Sequence, residues 1–342
     1  MAVTAYGDPL TLLDLPEPDL PPGFALLDVL ASGVCFTDVK IARGRMPSSA
    51  DLALPHVPGH EVCAAVVGTN PPGVLATGTR AIVYQYWSCG RCPACRRGHD
   101  AMCSSLEGWM GFRDPGGFEE RLIAPVDRLI PVPTSVDPIH AAPMSCALGT
   151  AYRSVVTRGG VRAANRVAVI GLGGVGIHAA QVAIASGAHV VGFDVHDPTL
   201  TRAGELGIDA RRSDDAEAIA ATIDETGGEG VDVVIETVAH EATLSLANAL
   251  VRKGGRIVAV GHAPTTALTL PTVRLVLDEV EIVGSRYASL DEMHRAVALV
   301  ADGRVRPVVG LVRPLEEVNE VLEALESGEV VGRAVLDVSS GS

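Results

Sequence analysis

The spacing of apolar positions changes part-way along this chain. Short apolar runs separated by turn clusters such as Pro21-Pro22-Gly23 and Asp114-Pro115-Gly116-Gly117 occupy the first part of the chain. This pattern of short runs separated by turns predicts a β-rich region up to about residue 145. The strands expected there are Ala25–Leu30, Glu61–Val67 and Ala81–Tyr84.

Beyond that point, strand-like apolar runs alternate with helical stretches, which predicts a parallel, doubly wound sheet. A helix over Pro138–Val156 is expected to open this part. The expected strands are Val167–Ile170, Val190–Phe193, Val231–Glu236, Arg256–Val260 and Val280–Val283, with helices at Gly176–Ala185, Thr201–Leu206 and Glu241–Leu250. After about Gly284, the pattern predicts helices at Leu290–Ala301 and Leu315–Ser327 and a last strand at Gly332–Val338.

Length and composition favour a globular α/β protein. The chain has 342 residues, 47% hydrophobic residues and 37 glycines, so two domains with many tight turns are expected. A net charge of −14 argues against nucleic acid as a partner, because phosphate binding needs clustered Lys and Arg. We expect no secretory signal and no membrane span, and a cytoplasmic location.

A glycine-rich loop follows the first strand of the second region. Gly171-Leu172-Gly173-Gly174-Val175-Gly176 lies between the apolar strand Val167–Ile170 and an apolar helix. Glycines there let the backbone turn tightly and approach a pyrophosphate at the helix N-terminus. Asp194 closes the next strand, where a carboxylate accepts hydrogen bonds from a ribose 2′-hydroxyl and repels a 2′-phosphate. The loop therefore predicts NAD binding; the alternative is a ligand-free turn in which Asp194 only caps.

Four of the seven cysteines lie in one short segment. The pattern Cys89-x2-Cys92-x2-Cys95-x7-Cys103 can close a tetrahedral zinc–thiolate site, and such a site has no open position for a substrate. We therefore expect a structural zinc that stabilises the lobe 88–104. Disulfides or free thiols are the alternative, and a reducing cytoplasm disfavours the disulfides.

A second candidate site is spread along the chain. It combines Cys35 in GVCFTD, His60 in PGHE and Cys146 in MSCALGT. Two cysteines and a histidine leave one coordination position open, as a catalytic zinc requires, and zinc there would lower the pKa of a bound alcohol. Spacing alone does not establish this set, because each residue taken singly is more often part of a core.

These local sequences resemble the zinc-containing medium-chain alcohol dehydrogenases, and the likeness runs through nearly the whole chain. GVCFTD, PGHE and MSCALGT are similar to the family's three ligand segments, CGRCPAC to its structural zinc loop, and GLGGVG with Asp194 to its NAD domain. The resemblance implies a GroES-like β-rich catalytic domain and a Rossmann NAD domain. It also implies that the catalytic domain is split, with 1–148 and 286–342 on either side of an NAD domain at 149–285.

The resemblance also implies roles for individual residues. Cys35, His60 and Cys146 would be catalytic zinc ligands, and Glu61 a carboxylate that can exchange onto the metal. Asp38 would orient His60, and Thr37 would begin proton removal from the substrate. The cofactor set would comprise Gly171, Gly173, Gly174, Val175, Gly176, Asp194, Thr150 at the nicotinamide, Val260, and Arg333 at the pyrophosphate.

Two positions depart from the family pattern. Phe36 replaces a cationic residue that many members carry after the first ligand, so a contact to the cofactor phosphates is lost. Lys40 stands where some members have a histidine that passes the proton to solvent. The route by which the proton leaves is therefore left open.

The expected enzyme is an NAD-dependent zinc alcohol dehydrogenase that holds two zinc ions per chain and acts on a small-molecule alcohol or carbonyl compound. Cys146 stands where polyol-handling members often carry glutamate, which favours simple or hydrophobic alcohols. The apolar residues that could line the pocket are Trp87, Tyr86, Trp109, Phe112 and Leu148.

The alternatives are a polyol or pathway-specific dehydrogenase and, more remotely, a non-catalytic NAD-binding protein. We expect a homodimer or homotetramer, since an edge strand near Glu281–Ser285 could pair with its copy.

Overall fold

The computed structural model describes residues 1–46, 52–263 and 265–339, and the chain forms two compact units. The first contains Met1–Cys146, Ser289–Ala301 and Val309–Ser342, and the second contains Ala147–Ala288 and Asp302–Val308. The sequence expectation assigned 286–342 to the first domain in one piece. The contacts instead place Asp302–Val308 with the second unit, although its neighbours on both sides along the chain belong to the first.

The first unit is built on β-strands, as its short apolar runs predict. Numbered in chain order, its strands are β1 (Phe24–Val34), β2 (Glu61–Thr69), β3 (Arg80–Val83), β4 (Tyr86–Trp87), β5 (Gly108–Trp109), β6 (Arg121–Pro125), β7 (Leu129–Pro131), β14 (Val309–Pro314) and β15 (Arg333–Asp337). Its α-helices are α1 (Phe36–Ala42), α2 (Pro93–Arg96), α3 (Pro138–Ala141), α10 (Leu290–Ala301) and α11 (Val318–Glu326), and 3₁₀ turns occupy Asp100–Met102, Val126–Arg128, Ala142–Ser145 and Leu315–Glu317.

A seven-stranded sheet organises this unit. Its order is β14-β15-β1-β2-β3-β7, with β6 also pairing to β1. Only the β14–β15 pair is parallel. The long central strand β1 is buried along most of its length, with Ala25, Leu27, Ala31 and Val34 at 0% exposure, so its two ends are held firmly by the core.

The second unit alternates strands and helices. Its elements are α4 (Ala147–Tyr152), a π-helical turn (Arg153–Arg158), β8 (Arg166–Ile170), α5 (Gly176–Ala185), β9 (His189–Asp194), α6 (Asp197–Glu205), β10 (Asp209–Arg212), α7 (Ala216–Asp224), β11 (Val231–Glu236), α8 (Glu241–Leu250), β12 (Val251–Ala259), α9 (Thr272–Leu277) and β13 (Glu281–Gly284). The six strands form one parallel sheet in the order β10-β9-β8-β11-β12-β13. The strand order reverses between β8 and β11, and ligands bind at the carboxyl ends of the strands at such a point. The predicted α/β fold, with a β-rich region and a doubly wound sheet, is confirmed.

The predicted single helix over Pro138–Val156 is wrong. The segment is divided into α3, a 3₁₀ turn, α4 and a π-helical turn. Pro143 has no N–H to contribute to a helix, and Cys146 leaves the helical conformation at φ −132° and ψ −65°. This break sets Cys146 apart from the helices on either side of it.

Within the described residues, no helix is long and apolar enough to cross a membrane.

Candidate active site and metal sites

Four side chains with metal-binding donor atoms meet inside the first unit. Cys35 directly precedes α1, His60 and Glu61 stand at the start of β2, and Cys146 ends a 3₁₀ turn. Their donor atoms all lie within 4.8 Å of one another. Tetrahedral zinc bonds of about 2.0–2.3 Å place neighbouring ligand atoms about 3.3–3.8 Å apart. The three predicted zinc ligands and Glu61 are therefore brought together in a set that fits this metal.

The pairing of β1 with β2 creates this meeting point. Gly33 near the end of β1 lies opposite Glu61 in the antiparallel register. A Cβ atom at Gly33 would lie 2.3 Å from Glu61 Oε2, so only glycine leaves room for the carboxylate. Gly59, with φ +98° and its would-be Cβ 2.5 Å from the Phe118 ring, makes the turn that presents His60. Two glycines thus shape the approach of the donor residues.

Asp38 connects two of the candidate ligands. Its Oδ2 accepts the backbone N–H of Cys35 at 2.8 Å, and its Oδ1 accepts from His60 Nδ1 at 3.2 Å. Because a carboxylate accepts and does not donate, Nδ1 of His60 carries a proton, and Nε2 is the ring nitrogen that is available to a metal. Asp38 is 0% exposed, so solvent does not compete for these bonds.

Glu61 and Arg333 form a buried ion pair at the same cluster. Arg333 Nη2 lies 2.7 Å from Glu61 Oε1, and the side chains are 7% and 0% exposed. The contact meets the distance but not the direction of a hydrogen bond, so neither oxygen of Glu61 has a hydrogen-bond partner within the described chain. A buried carboxylate with two unsatisfied oxygens beside two thiols and an imidazole is chemically suited to a bound cation.

The charges of the cluster depend on one another. The hydrogen bond from the Cys146 thiol, aided by Arg333 and opposed by burial, holds the pKa of Cys35 well below its usual value. That same bond, together with burial, raises the pKa of Cys146. Burial raises the pKa of Glu61 to about 7 against the opposing effect of Arg333. Burial lowers the pKa of His60, but the Asp38 carboxylate overrides it and the net shift is well upward.

Besides Asp38, the sequence analysis named three residues of α1, which are Phe36, Thr37 and Lys40. Thr37 Oγ1 lies 3.6 Å from Cys35 Sγ, beside the candidate metal ligands. The Lys40 ammonium lies 5.8 Å from the centre of the Phe36 ring, within the range of a cation–π contact. The proton-transfer roles of Thr37 and Lys40 stay predictions.

Aromatic rings extend outward from His60. The Phe112 ring centre lies 5.0 Å from that of His60, Trp109 stacks on Phe112 at 4.2 Å, and Tyr86 stacks on Trp109 at 5.4 Å. Three of the five apolar residues considered as pocket-lining thus form one row ending at a candidate ligand. Trp87 instead packs edge-on against Phe24 at 5.6 Å and lines a separate groove of about 890 Å³. The fifth, Leu148, is buried in α4 of the second unit.

The four clustered cysteines also come together. Cys92 Sγ lies 3.4 Å from Cys95 Sγ and 3.9 Å from Cys103 Sγ, and Cys103 Sγ lies 3.5 Å from Cys89 Sγ. Backbone N–H groups of Cys92, Cys95 and Ser105 donate to the sulfurs of Cys89, Cys92 and Cys103 at 3.4–3.5 Å. The N–H donors from Cys95 and Ser104 lower the pKa of Cys92 to about 5. All seven cysteines are free thiols, and this set suits a closed tetrahedral zinc site.

The glycine loop leaves space where the sequence predicts a pyrophosphate. Gly171 has φ +83°, and a Cβ atom at Gly176 would lie 1.7 Å from the carbonyl oxygen of Gly171. A Cβ atom at Gly173 would meet nothing within 4 Å, so this edge of the loop is open to a ligand. Gly174 and Val175 are half-buried. The loop packs its own turn tightly and leaves its outer edge free, as a dinucleotide site requires.

Asp194 is held by three backbone amides. Its Oδ2 accepts from Leu172 N at 2.7 Å, and its Oδ1 accepts from Val195 N at 2.8 Å and His196 N at 3.0 Å. A carboxylate offers about four acceptor positions, so one remains for a ribose hydroxyl. Asp194 thus caps the loop, and it also keeps one acceptor position for a cofactor.

The other predicted cofactor residues lie in different places. Thr150 is buried in α4. The N–H of Val260, directly after β12, donates to Glu236 O at 2.8 Å. Arg333 stands in the cluster of the first unit, paired with Glu61. The cofactor contacts of all three stay predictions.

Two buried carboxylates, Glu61 and Glu236, have contacts in the structure that the sequence did not predict. The Arg333 partner of Glu61 was not foreseen, because ion pairing across three strands has no local signature. Glu236 ends β11 at 0% exposure, and its Oε1 accepts from Val238 N, Ala239 N and Thr243 Oγ1 at 2.8–3.0 Å. An acidic residue closing the apolar run VDVVIE was the available signal for it.

A sulfur-rich closed site, an open cysteine–histidine site and a glycine loop on a doubly wound sheet define a zinc-binding dehydrogenase. The comparisons with known proteins agree. Residues 21–134 match the alcohol dehydrogenase GroES-like domain, and residues 174–302 match the zinc-binding dehydrogenase domain. The chain belongs to the zinc-containing medium-chain alcohol dehydrogenase family, so the resemblance inferred from its motifs is confirmed.

Individual relatives match over nearly the full length. An alcohol dehydrogenase of Geobacillus stearothermophilus is 34% identical over 98% of this chain and 97% of its own. A solved NAD-dependent alcohol dehydrogenase superposes with a TM-score of 0.92 at 30% identity, covering 98% of both chains. The alcohol dehydrogenase of Aeropyrum pernix superposes with a TM-score of 0.89 at 32% identity and the same coverage.

Proposed function

We propose that this protein is an NAD-dependent, zinc-dependent alcohol dehydrogenase that interconverts a primary or secondary alcohol with its aldehyde or ketone. The observation that carries the proposal is the meeting of Cys35, His60, Glu61 and Cys146 within 4.8 Å. Family membership and the glycine loop with Asp194 support it. A non-catalytic NAD-binding protein would have no need to keep this donor set intact.

Each chain holds two zinc ions in this proposal. Cys35, His60 and Cys146 hold the first and leave one position open, with Glu61 as the carboxylate that can exchange onto the metal. Cys89, Cys92, Cys95 and Cys103 hold the second, which is closed and stabilises the lobe 88–104. When bound, zinc supplies a Lewis acid that favours ionisation of an alcohol, and NAD supplies the hydride acceptor.

The residues of the chain prepare these steps. Asp38 fixes the tautomer and orientation of His60 through its Nδ1 hydrogen bond. The Thr37 hydroxyl, beside Cys35, would take the proton of the substrate hydroxyl while passing its own proton on. Lys40, in the last turn of α1, or water would then carry that proton to solvent. Arg333 compensates the negative charge of Glu61.

The cofactor is NAD rather than NADP in this proposal. Gly171, Gly173, Gly174, Val175 and Gly176 cradle the pyrophosphate at the N-terminus of α5. Asp194 accepts from the ribose and repels a 2′-phosphate. Thr150 and Val260 contact the nicotinamide half, and Arg333 reaches the pyrophosphate.

The substrate is a simple or hydrophobic alcohol. The aromatic row Phe112, Trp109 and Tyr86 ends at His60 and offers an apolar surface beside the candidate metal site. Cys146, in place of the glutamate of polyol-handling members, supports the same preference.

Two further features are proposed. The chain forms a homodimer or homotetramer, because β13 is the edge of its sheet and is exposed along most of its length. The second is a cytoplasmic location, because all seven cysteines are free thiols and a reducing cytoplasm keeps thiols in that state.

The test follows NADH formation by zinc-loaded protein across aliphatic, aromatic, terpenoid and polyol alcohols. We expect activity on aliphatic or aromatic alcohols that a chelator removes and that Cys35→Ser abolishes. Cys63→Ala is the matched control, since Cys63 is buried outside both clusters, and it should retain activity. Unchanged turnover in Cys35→Ser would overturn the proposal.

A further inference from the structure

Two polar side chains of α5 are occupied with a distant part of the chain. His178 and Gln181 lie on one face of the helix and are 1% and 7% exposed. Both bond to the backbone of Asp302–Val308, which we call the crossover segment. This segment packs within the second unit, although α10 before it and β14 after it belong to the first.

His178 joins the glycine loop to the crossover segment. Its Nδ1 lies 2.7 Å from the carbonyl oxygen of Gly174, and its Nε2 lies 3.0 Å from the backbone nitrogen of Val308. A carbonyl accepts and an amide N–H donates, so Nδ1 carries the proton and Nε2 accepts. One neutral imidazole therefore bridges the first turn of α5 and Val308.

Gln181 holds the segment one turn further along. Its Oε1 accepts the N–H of Arg306 at 2.9 Å, and its Nε2 donates to the carbonyl of Arg306 at 3.0 Å. A neighbouring β-strand would supply the same pair of hydrogen bonds, one to the N–H and one to the carbonyl of a backbone residue. The Arg304 guanidinium adds a hydrogen bond to Ala185 O at the end of α5, and Val305 and Val308 are 1% exposed.

We propose that His178 and Gln181 are positioning residues for the dinucleotide, holding the glycine loop and the crossover segment in one preformed arrangement. The amides at the start of α5 can bind a pyrophosphate without reorganisation only if this turn is already ordered. Without the two side chains, the buried N–H of Val308 and the partly buried backbone groups of Arg306 lose their partners, and the segment opens more often. The inference rests on the proposed NAD binding and adds residues that do not contact the cofactor themselves.

The test compares His178→Ala, Gln181→Ala and the milder His178→Asn and Gln181→Glu with wild type. The Kd values of NAD, ADP-ribose and adenosine are measured by calorimetry. We expect the Kd of NAD and ADP-ribose to rise about fivefold to tenfold in the alanine variants. Adenosine, which lacks the pyrophosphate, should bind as in wild type, and kcat at saturating NAD should change less than about twofold.

One conservative variant and one control separate positioning from general stability. Gln181→Glu keeps the acceptor for Arg306 N–H and should recover part of the NAD affinity. Ser186→Ala removes a bond that stays within the end of α5, from Ser186 Oγ to Val182 O at 2.8 Å, and should leave Kd unchanged. Wild-type NAD affinity in a folded His178→Ala, or an equal loss for adenosine, would overturn the inference.

Hydrogen exchange supplies a second readout, which does not depend on binding constants. NAD binding to the wild-type protein should slow amide exchange in residues 302–308, and His178→Asn should speed it without ligand. An exchange rate in 302–308 that NAD leaves unchanged also overturns the inference. Binding and exchange do not depend on turnover, so a protein that binds NAD without oxidising alcohols fails only the proposed function.

Discussion

Arg333 and Glu61 face each other at 2.7 Å in a buried position beside the candidate zinc ligands. Arg333 belongs to β15 and Glu61 to β2, and β1 pairs with both of these strands. The two charges compensate each other at a place where solvent is excluded. Removing one partner leaves the other as an uncompensated buried charge, which is costly.

Arg333→Gln in the zinc-loaded protein should therefore lower the free energy of unfolding by about 3–5 kcal/mol. Adding Glu61→Gln should recover part of this, with a coupling of about 0.5–3 kcal/mol in a double-mutant cycle. Urea unfolding measures both. Arg121→Gln is the control, because Arg121 pairs with Asp28 in an exposed position and should cost at most about 1 kcal/mol. Equal costs for the two arginines would contradict the prediction.

Asp38→Asn preserves the shape of the side chain but removes the carboxylate that accepts from His60. The imidazole is then free to rotate and to exchange tautomers. We expect zinc affinity and turnover to fall about 10–100-fold, as measured by competition with a chromogenic chelator and by NADH formation. Asp28→Asn, at an exposed position of β1, should change neither. An Asp38→Asn protein with wild-type zinc affinity would exclude this role.

Cys92→Ser should remove one zinc ion per chain and leave the other in place. The sulfur cluster of the lobe 88–104 is separate from Cys35, His60 and Cys146, so a substrate-competent site can survive. Elemental analysis should give two zinc ions in wild type and in Cys63→Ala, and one in Cys92→Ser. We also expect faster hydrogen exchange in the lobe, because its metal supplies folding energy. One zinc ion in the wild type would count against the closed site.

Asp194→Ser should weaken the preference for NAD over NADP. The loss of the carboxylate removes a charged acceptor for the ribose and the repulsion of a 2′-phosphate. The KM for NAD should rise about tenfold or more, and kcat/KM for NADP should increase. Glu205→Gln, which changes an exposed partner of Arg202 on α6, serves as the control. A NADP preference that stays unaltered would show that Asp194 only caps the loop.

Burial raises the pKa of Glu119 to about 7, and this predicts a pH dependence of stability. The folded protein then binds a proton more tightly than the unfolded chain, whose pKa is about 4.5. The contribution of Glu119 is most favourable below about pH 4.5 and falls as pH rises to about 7, by up to about 3 kcal/mol. Unfolding of wild type and Glu119→Gln between about pH 5 and 8 measures it. A difference between the two proteins that does not vary with pH would refute it.

Secondary structure was predictable where local periodicity and tertiary packing agree. β11 at Val231–Glu236 and α10 at Leu290–Ala301 have the predicted bounds. β10 was not predicted, because its sequence Asp209-Ala-Arg-Arg212 is too polar to show a strand period. Its arginines are instead held by ion pairs with Asp209, Glu225, Asp197 and Asp214. The helix predicted over Pro138–Val156 is interrupted because Cys146 has to leave the helix to reach the other donors.

The sequence by itself determined the family, the glycine loop and the six clustered or dispersed donor cysteines with His60. These signals are local in the chain, or they occur in short segments typical of the family, and backbone chemistry accounts for them. Only the tertiary structure decided that Arg333 pairs with Glu61 and that His178 and Gln181 hold the crossover segment. Each of these contacts joins residues brought together by the pairing of strands or the packing of helices. Burial then sets their charge and hydrogen bonding, and no local pattern of the chain encodes that environment.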